Sequence, residues 1–146
     1  MIDYIDILNK IREFLIARVD TSSVAYDVTI GRYEPQPDEY PFIKVDYPIK
    51  VDEVGKYGLM VEAHIDINFP IVICANQSHI NDSRDQCWEI LALVEDTIRG
   101  DVKLGNIEHL SRGVCGGAEG VDMEGKEYRL TLTLDCRFQY HKQEGS

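Results

Sequence analysis

Glutamate, histidine and aspartate recur at every second position in Glu62-Ala63-His64-Ile65-Asp66. On a strand this spacing puts all three on one face, about 6.8 Å apart along the chain. Two neighbours could share a metal ion, but a tetrahedral site needs ligands from another element. No H-x-x-x-H or C-x-x-C spacing supplies them, and His79, His109 and His141 stand isolated. The face is therefore expected to be a solvated or partner-facing polar surface without a metal. The second candidate is Cys115, within Gly113-Val114-Cys115-Gly116-Gly117-Ala118-Glu119-Gly120. A nucleophilic thiol needs a helix N-terminus or a cationic neighbour to lower its pKa. Arg112 is near, yet strands rather than a helix are expected to follow. The glycines match neither the dinucleotide fingerprint nor the phosphate loop, since no Lys-Ser/Thr pair closes them. This segment reads as a flexible loop or hairpin with a bystander thiol. Cys74, Cys87 and Cys136 fall in apolar patterns, as small core residues do. Phe14 and Trp88 lie on or beside apolar helical stripes and are assigned to the core. With no G-x-S-x-G either, the residues predict no catalysis and no cofactor.

Composition narrows the class further. A chain of 146 residues, 44% hydrophobic and 28% charged, reads as one domain that can bury a core without disulfides or metal. The longest apolar run, Phe69 to Ala75, is far shorter than a membrane span. The opening Met1-Ile2-Asp3-Tyr4-Ile5-Asp6 lacks a basic segment and an unbroken apolar one, so no signal peptide is expected. The four cysteines are accordingly expected to be reduced. Charge is the strongest statement: 15 basic against 26 acidic residues give a net −11. Nonspecific nucleic-acid affinity comes from cations that neutralise phosphates. This chain should repel DNA and anionic lipid.

The elements that must position these residues follow from periodicity. From Ile2 to about Val19, Tyr4, Ile7, Leu8, Ile11, Phe14, Leu15 and Val19 step at helical spacing. A strand is expected over Val24 to Ile30, and then Glu34 to Pro41 is an extended loop, since its three prolines cannot donate. Phe42 to Val54 reads as extended, with Pro48 making it an edge strand or bulge. Gly55 to Gly58 reads as a turn. Leu59 to Phe69 alternates apolar and polar, as a strand covered on one face does. A second helix is predicted to start near Ser83, where Ser83-Arg84-Asp85-Gln86 has capping-box spacing. Its buried stripe would be Cys87, Ile90, Leu91, Val94 and Ile98, and Gly100 would stop it. After a Glu124-Gly125 turn, Tyr128 to Tyr140 alternates again. The expected fold is α+β, two helices packed on one face of a mostly antiparallel β-sheet. Residues 1–141 would form this single domain and 142–146 a frayed tail.

This order of elements resembles a known family. The residues that carry the resemblance are the opening amphipathic helix, the proline-rich loop ending in Glu39-Tyr40-Pro41-Phe42-Ile43, and the long strand Val61-Glu62-Ala63-His64-Ile65-Asp66-Ile67. The helix Arg84 to Val94 and the closing strand Tyr128 to Leu134 complete it. Over roughly residues 1–140 the chain resembles the tail terminator, or tail completion, proteins of long-tailed bacteriophages. The resemblance implies a virion structural protein, without catalysis, assembled in the host cytoplasm. It implies a hexameric ring on the head-proximal end of the tail tube, which ends tube polymerisation and joins tail to head. Its partners would be the tail tube protein and a neck or head-completion protein, and DNA would pass through without specific binding. Under that reading Tyr33, Pro35, Pro37 and Tyr40 are candidate subunit or partner contacts. Asp46, Asp52, Glu53, Glu62 and Asp66 are candidate acidic channel-lining residues. A small ligand- or metal-binding α+β domain, and a neighbouring neck or tail-tube component, are the alternatives.

Overall fold

The computed structural model describes residues 2–19, 27–56, 62–107, 110–123 and 128–143. In chain order these form α1 (Tyr4–Arg18), β1 (Thr29–Gly31), β2 (Phe42–Val45), β3 (Lys50–Lys56), β4 (Glu62–Gln77), α2 (Ile80–Arg99), β5 (Leu110–Met123) and β6 (Tyr128–Gln143). The fold is α+β. One six-stranded sheet has the order β1-β2-β4-β6-β5, with β3 also paired to β4. All pairings are antiparallel except β1 with β2, so the sheet is mixed.

Helix α1 starts on Asp3, whose carboxylate accepts from the Asp6 N–H at 3.0 Å. It buries Ile7, Leu8, Ile11, Phe14 and Leu15, the stripe expected from spacing. Helix α2 buries Cys87, Ile90, Leu91, Val94 and Ile98, again as expected. Both stripes join one core with the odd-numbered residues of β4, Ile67 to Ala75, and with Ile43 and Val45 of β2. Odd positions on a strand share a face, so the two helices cover the same side of the sheet. Cys74 and Cys87 are buried and form no disulfide. Cys87 donates to the Ile73 carbonyl at 3.7 Å, and burial, helped by Cys74, pushes its pKa up to about 12. Trp88, by contrast, is 49% exposed on α2 and does not belong to the core.

Several expected boundaries move. The strand read over Val24 to Ile30 is Thr29–Gly31, and Val24 to Tyr26 lie outside the described residues. Pro48 does break the next segment, into β2 and β3, which line up in turn along β4. Gly55 and Lys56 extend β3 past a bulge instead of opening a turn, while Tyr57 and Gly58 lie outside the described residues. Strand β4 runs on to Gln77, well beyond Phe69, and carries Pro70 in its interior. The Gly113–Gly120 segment is not a loop but part of β5, accommodated by register shifts between Arg112 and Cys115 and between Cys115 and Ala118. Lys142 and Gln143, assigned to a frayed tail, pair with Ala63 and Glu62.

The capping expectation at Ser83 also gives way. The cap is His79, with no side-chain hydrogen bond, and α2 starts at Ile80. Ser83 and Gln86 are instead buried one turn in. Ser83 Oγ accepts from the Gln77 N–H at 2.9 Å, and Gln77 Nε2 donates to Gln86 Oε1 at 3.0 Å. The serine thus ties the last residue of β4 to the first turns of the helix that follows. At the other end of α2, Gly100 is the cap but is right-handed. The left-handed residues come later: Leu104, Gly105 and Asn106, with φ of 50°, 68° and 64°. Such a conformation costs a bulky residue about 1–3 kcal/mol. It is held because Leu104 is buried in the core and Asp101 accepts from the Lys103 and Gly105 N–H groups at 3.1 and 2.9 Å. Gly105 takes its positive φ without strain, and a Cβ there would stand 2.7 Å from Arg18 Nη2, so the guanidinium would have to shift.

Ser83→Ala removes the acceptor for Gln77 while leaving the cap untouched. The expected result is a loss of about 1 kcal/mol in unfolding free energy, read as a lower urea midpoint, with unchanged helical content in water. An unshifted midpoint would refute the tie.

Candidate functional site

The side of the sheet away from the helices carries both groups of candidates. Its positions are the even-numbered residues of β4 and those opposite them. Phe42 and Lys44 of β2 stand opposite Cys74 and Val72, and Asp46 N–H donates to the Pro70 carbonyl at 2.9 Å. On β3, Asp52 stands opposite Asp66 and Lys50 opposite Asn68. On β6, Gln143, His141, Gln139 and Arg137 stand opposite Glu62, His64, Asp66 and Asn68.

The loop 32–41 folds onto one end of this face. Tyr33 stacks at a tilt on Phe42, with ring centroids 5.5 Å apart. Its hydroxyl donates to Glu39 Oε2 at 2.9 Å, while Glu39 Oε1 accepts from the Gln36 N–H at 2.9 Å. Glu34 and Lys44 form an ion pair, and Asp46 lies 3.7 Å from the same ammonium. Burial disfavours the Lys44 charge, but the hydrogen bond to Glu34 and the carboxylates of Asp46 and Glu34 outweigh it, so its pKa is raised. Pro41 follows a cis peptide bond. Of the four candidate contacts, Pro35 is buried within the chain, Tyr40 is half-buried, and Tyr33 and Pro37 are exposed. Gln36, Pro37 and Asp38 form the exposed tip. The loop is therefore an ordered structure fastened to its own sheet.

The acidic candidates divide between the two sides. Asp46, Asp52, Glu62 and Asp66 occupy positions on the helix-free side. Glu53 is opposite Ile65 and so takes a position on the helix side. Asp52 and Asp66 are directly opposite, and like charges so placed repel. Lys50, 3.4 Å from Asp52, offsets part of that repulsion. The row next to these aspartates carries Lys50, Asn68 and Arg137, so acidic and basic rows adjoin on this face. Asp66 Oδ1 is buried and accepts no hydrogen bond.

Sequence reasoning placed Glu62, His64 and Asp66 on one face correctly but could not supply their neighbours. His141, which looked isolated, is directly opposite His64. Cys115 is opposite Cys136, another pairing visible only in the register. Exposed apolar residues at Tyr47, Ile49 and Val51 went unread as well. Their spacing of two along an edge segment was the available signal. The chain matches no known family and no curated protein.

The Tyr33–Glu39 bond fixes a pH dependence. The hydrogen bond to Glu39, then burial, then the Glu39 charge raise the Tyr33 pKa above its ordinary 10.0, while Arg12 pulls it down. A raised folded-state pKa means the bond contributes fully below pH 10 and is lost as pH rises through the higher folded value. Absorbance at 295 nm, wild type minus Tyr33→Phe, should show one phenolate step with its midpoint above 10. A midpoint at or below 10 would refute the bond.

Proposed function

We propose that the protein is a structural component of a long-tailed bacteriophage, a tail terminator that caps the head-proximal end of the tail tube. The observation that carries this reading is the element order. Helix, short strand, proline-rich loop, long strand, helix and long closing strand occur in that order along the chain, with β2 and β3 ahead of the long strand and β5 ahead of the closing one. In this reading the protein has no catalytic role and works as a homohexameric ring in the virion. It ends tube polymerisation, binds the tube protein on one side and a neck or head-completion protein on the other, and lets DNA through its channel.

Two physical features support this reading. A channel for moving DNA must avoid the counterion-release gain that would hold phosphates, and a chain of net −11 avoids it. Asp46, Asp52, Glu62 and Asp66 share one side of the sheet and are the proposed lining. Glu53, on the opposite side, leaves that set. The loop 32–41 is the proposed partner arm, with contact through its exposed tip and Tyr33 while buried Pro35 holds it in place. Pre-ordering by internal hydrogen bonds lowers the entropy lost on docking.

Phage particles lacking the protein should accumulate overlong tubes without heads in electron micrographs; tails of normal length joined to heads would overturn the reading. In vitro, six copies each of charge −11 repel one another, so ring formation should rise with salt or magnesium in sedimentation runs. A ring population indifferent to ionic strength would count against the charge argument. The double substitution Pro37→Ala with Asp38→Lys should change stability by less than about 0.5 kcal/mol yet impair assembly on tube ends.

A further inference from the structure

The helix layer carries a hollow at one place and a projecting aromatic side chain at another. The hollow, about 210 Å³ and open to solvent, lies between the second half of α1 and the loop that follows α2. Phe14, Leu104 and Ile107 give it an apolar lining, and the exposed Lys10, Glu13 and Arg18 stand on its rim. Arg18 lies over the Phe14 ring, 4.7 Å from its centroid, and Lys10 holds Asp6 at 2.9 Å. Small-molecule pockets span about 300–1,000 Å³, so a hollow of this size suits one large side chain. The projecting side chain is Trp88, half-exposed on α2 among the exposed Arg84, Asp85, Glu89 and Ala92. Tryptophans that fill a partner's pocket carry much of the binding energy of protein interfaces.

The two features match in size, polarity and charge. Asp85, Glu89 and Arg84 surround the indole with two acids and one base, while Lys10, Arg18 and Glu13 rim the hollow with two bases and one acid. An indole seated there would lie against Phe14 with cations beside its ring, the arrangement that aromatic and cation–π contacts favour. No residue of α2 lines the hollow, so a chain does not fill it with its own Trp88. We propose that Trp88 of one copy seats in the hollow between α1 and the 104–107 loop of a second copy. Asp85 and Glu89 then meet Lys10 and Arg18 of that copy, and Arg84 meets its Glu13. Plug and socket occupy different parts of the surface, so the contact can repeat head to tail and close a ring. That direction rests on the ring reading; the seat itself is tested apart from it.

The test combines sedimentation velocity with tryptophan emission on full-length protein in magnesium. It compares wild type, Trp88→Ala, Glu13→Phe and an equimolar mixture of the two variants. Glu13→Phe covers the hollow and keeps Trp88 as the single tryptophan. Wild type should associate beyond a dimer while its emission shifts to the blue. Each variant alone should associate about 30-fold more weakly or worse, as when a central interface tryptophan is removed. In the mixture one variant supplies the hollow and the other the indole, so pairs form, stop at two and regain the blue shift. The wild-type shift needs no substitution and decides the matter if a variant folds poorly. Variants that associate at wild-type strength, or wild-type association without a blue shift, would overturn the seat and leave the ring standing. A mixture without pairs, or wild type that stays monomeric, would overturn it too. A wild-type dimer that shows the shift but grows no further would keep the seat and overturn its head-to-tail use.

Discussion

Strand β4 is paired on both edges over most of its length while carrying a proline in its interior. On one edge β6 pairs with it continuously from Glu62 to Gln77; the other edge is shared between β2 and β3. Pro70 lies where that second edge changes hands. Its carbonyl faces Asp46, so its donorless nitrogen faces the same way, into the gap between Val45 and Lys50. Moving the proline by one residue in either direction would aim the missing donor at β6 and break the longest ladder of the sheet. Pro48 marks the same gap from the other side, so two prolines define one break and leave the rest of the sheet continuous.

Once β4 is fixed, the distribution of residues follows. Its odd positions supply the apolar floor on which α1 and α2 lie, and its even positions supply a face that the helices do not touch. That second face is not uniformly polar. Toward β2 it is apolar, with Phe42, Pro70 and Cys74 buried, and the loop from Arg32 to Pro41 folds over Phe42. Toward β3 it becomes a pattern of charged and imidazole-bearing positions. The loop and the charged rows occupy opposite ends of one surface, which is why both candidate regions belong to the same side of the molecule.

The sequence made the helices legible because each has one buried stripe at a period that nothing interrupts. Glu62 to Phe69 and Tyr128 to Tyr140 were legible for the matching reason, a strict alternation, while Leu59 to Val61 of the same expected strand lie outside the described residues. The second half of β4 was not, because Phe69 to Ala75 is covered on both faces and shows no alternation to read. Strand β5 was hidden by glycines and by bulges that shift its register twice. Ser83 misled for a different reason. A serine three residues before a glutamine satisfies the capping pattern, yet both side chains here serve the contact with Gln77. The candidate site was half legible: the face of β4 was clear, but pairing partners on β3 and β6 depend on register, which no local spacing encodes.

The exposure of Trp88 carries a practical consequence. It is the chain's single tryptophan, and it stands on the outer side of α2 beside the exposed Arg84, Asp85 and Ala92. Intrinsic fluorescence therefore reports on the helix surface and is nearly blind to the core. Denaturation moves this indole from a half-wet environment to a wet one, so its emission maximum shifts little while circular dichroism collapses. Covering α2 with another protein would shift the emission to the blue with the fold intact. The one fluorophore that usually follows unfolding is here a gauge of what touches the helix layer from outside.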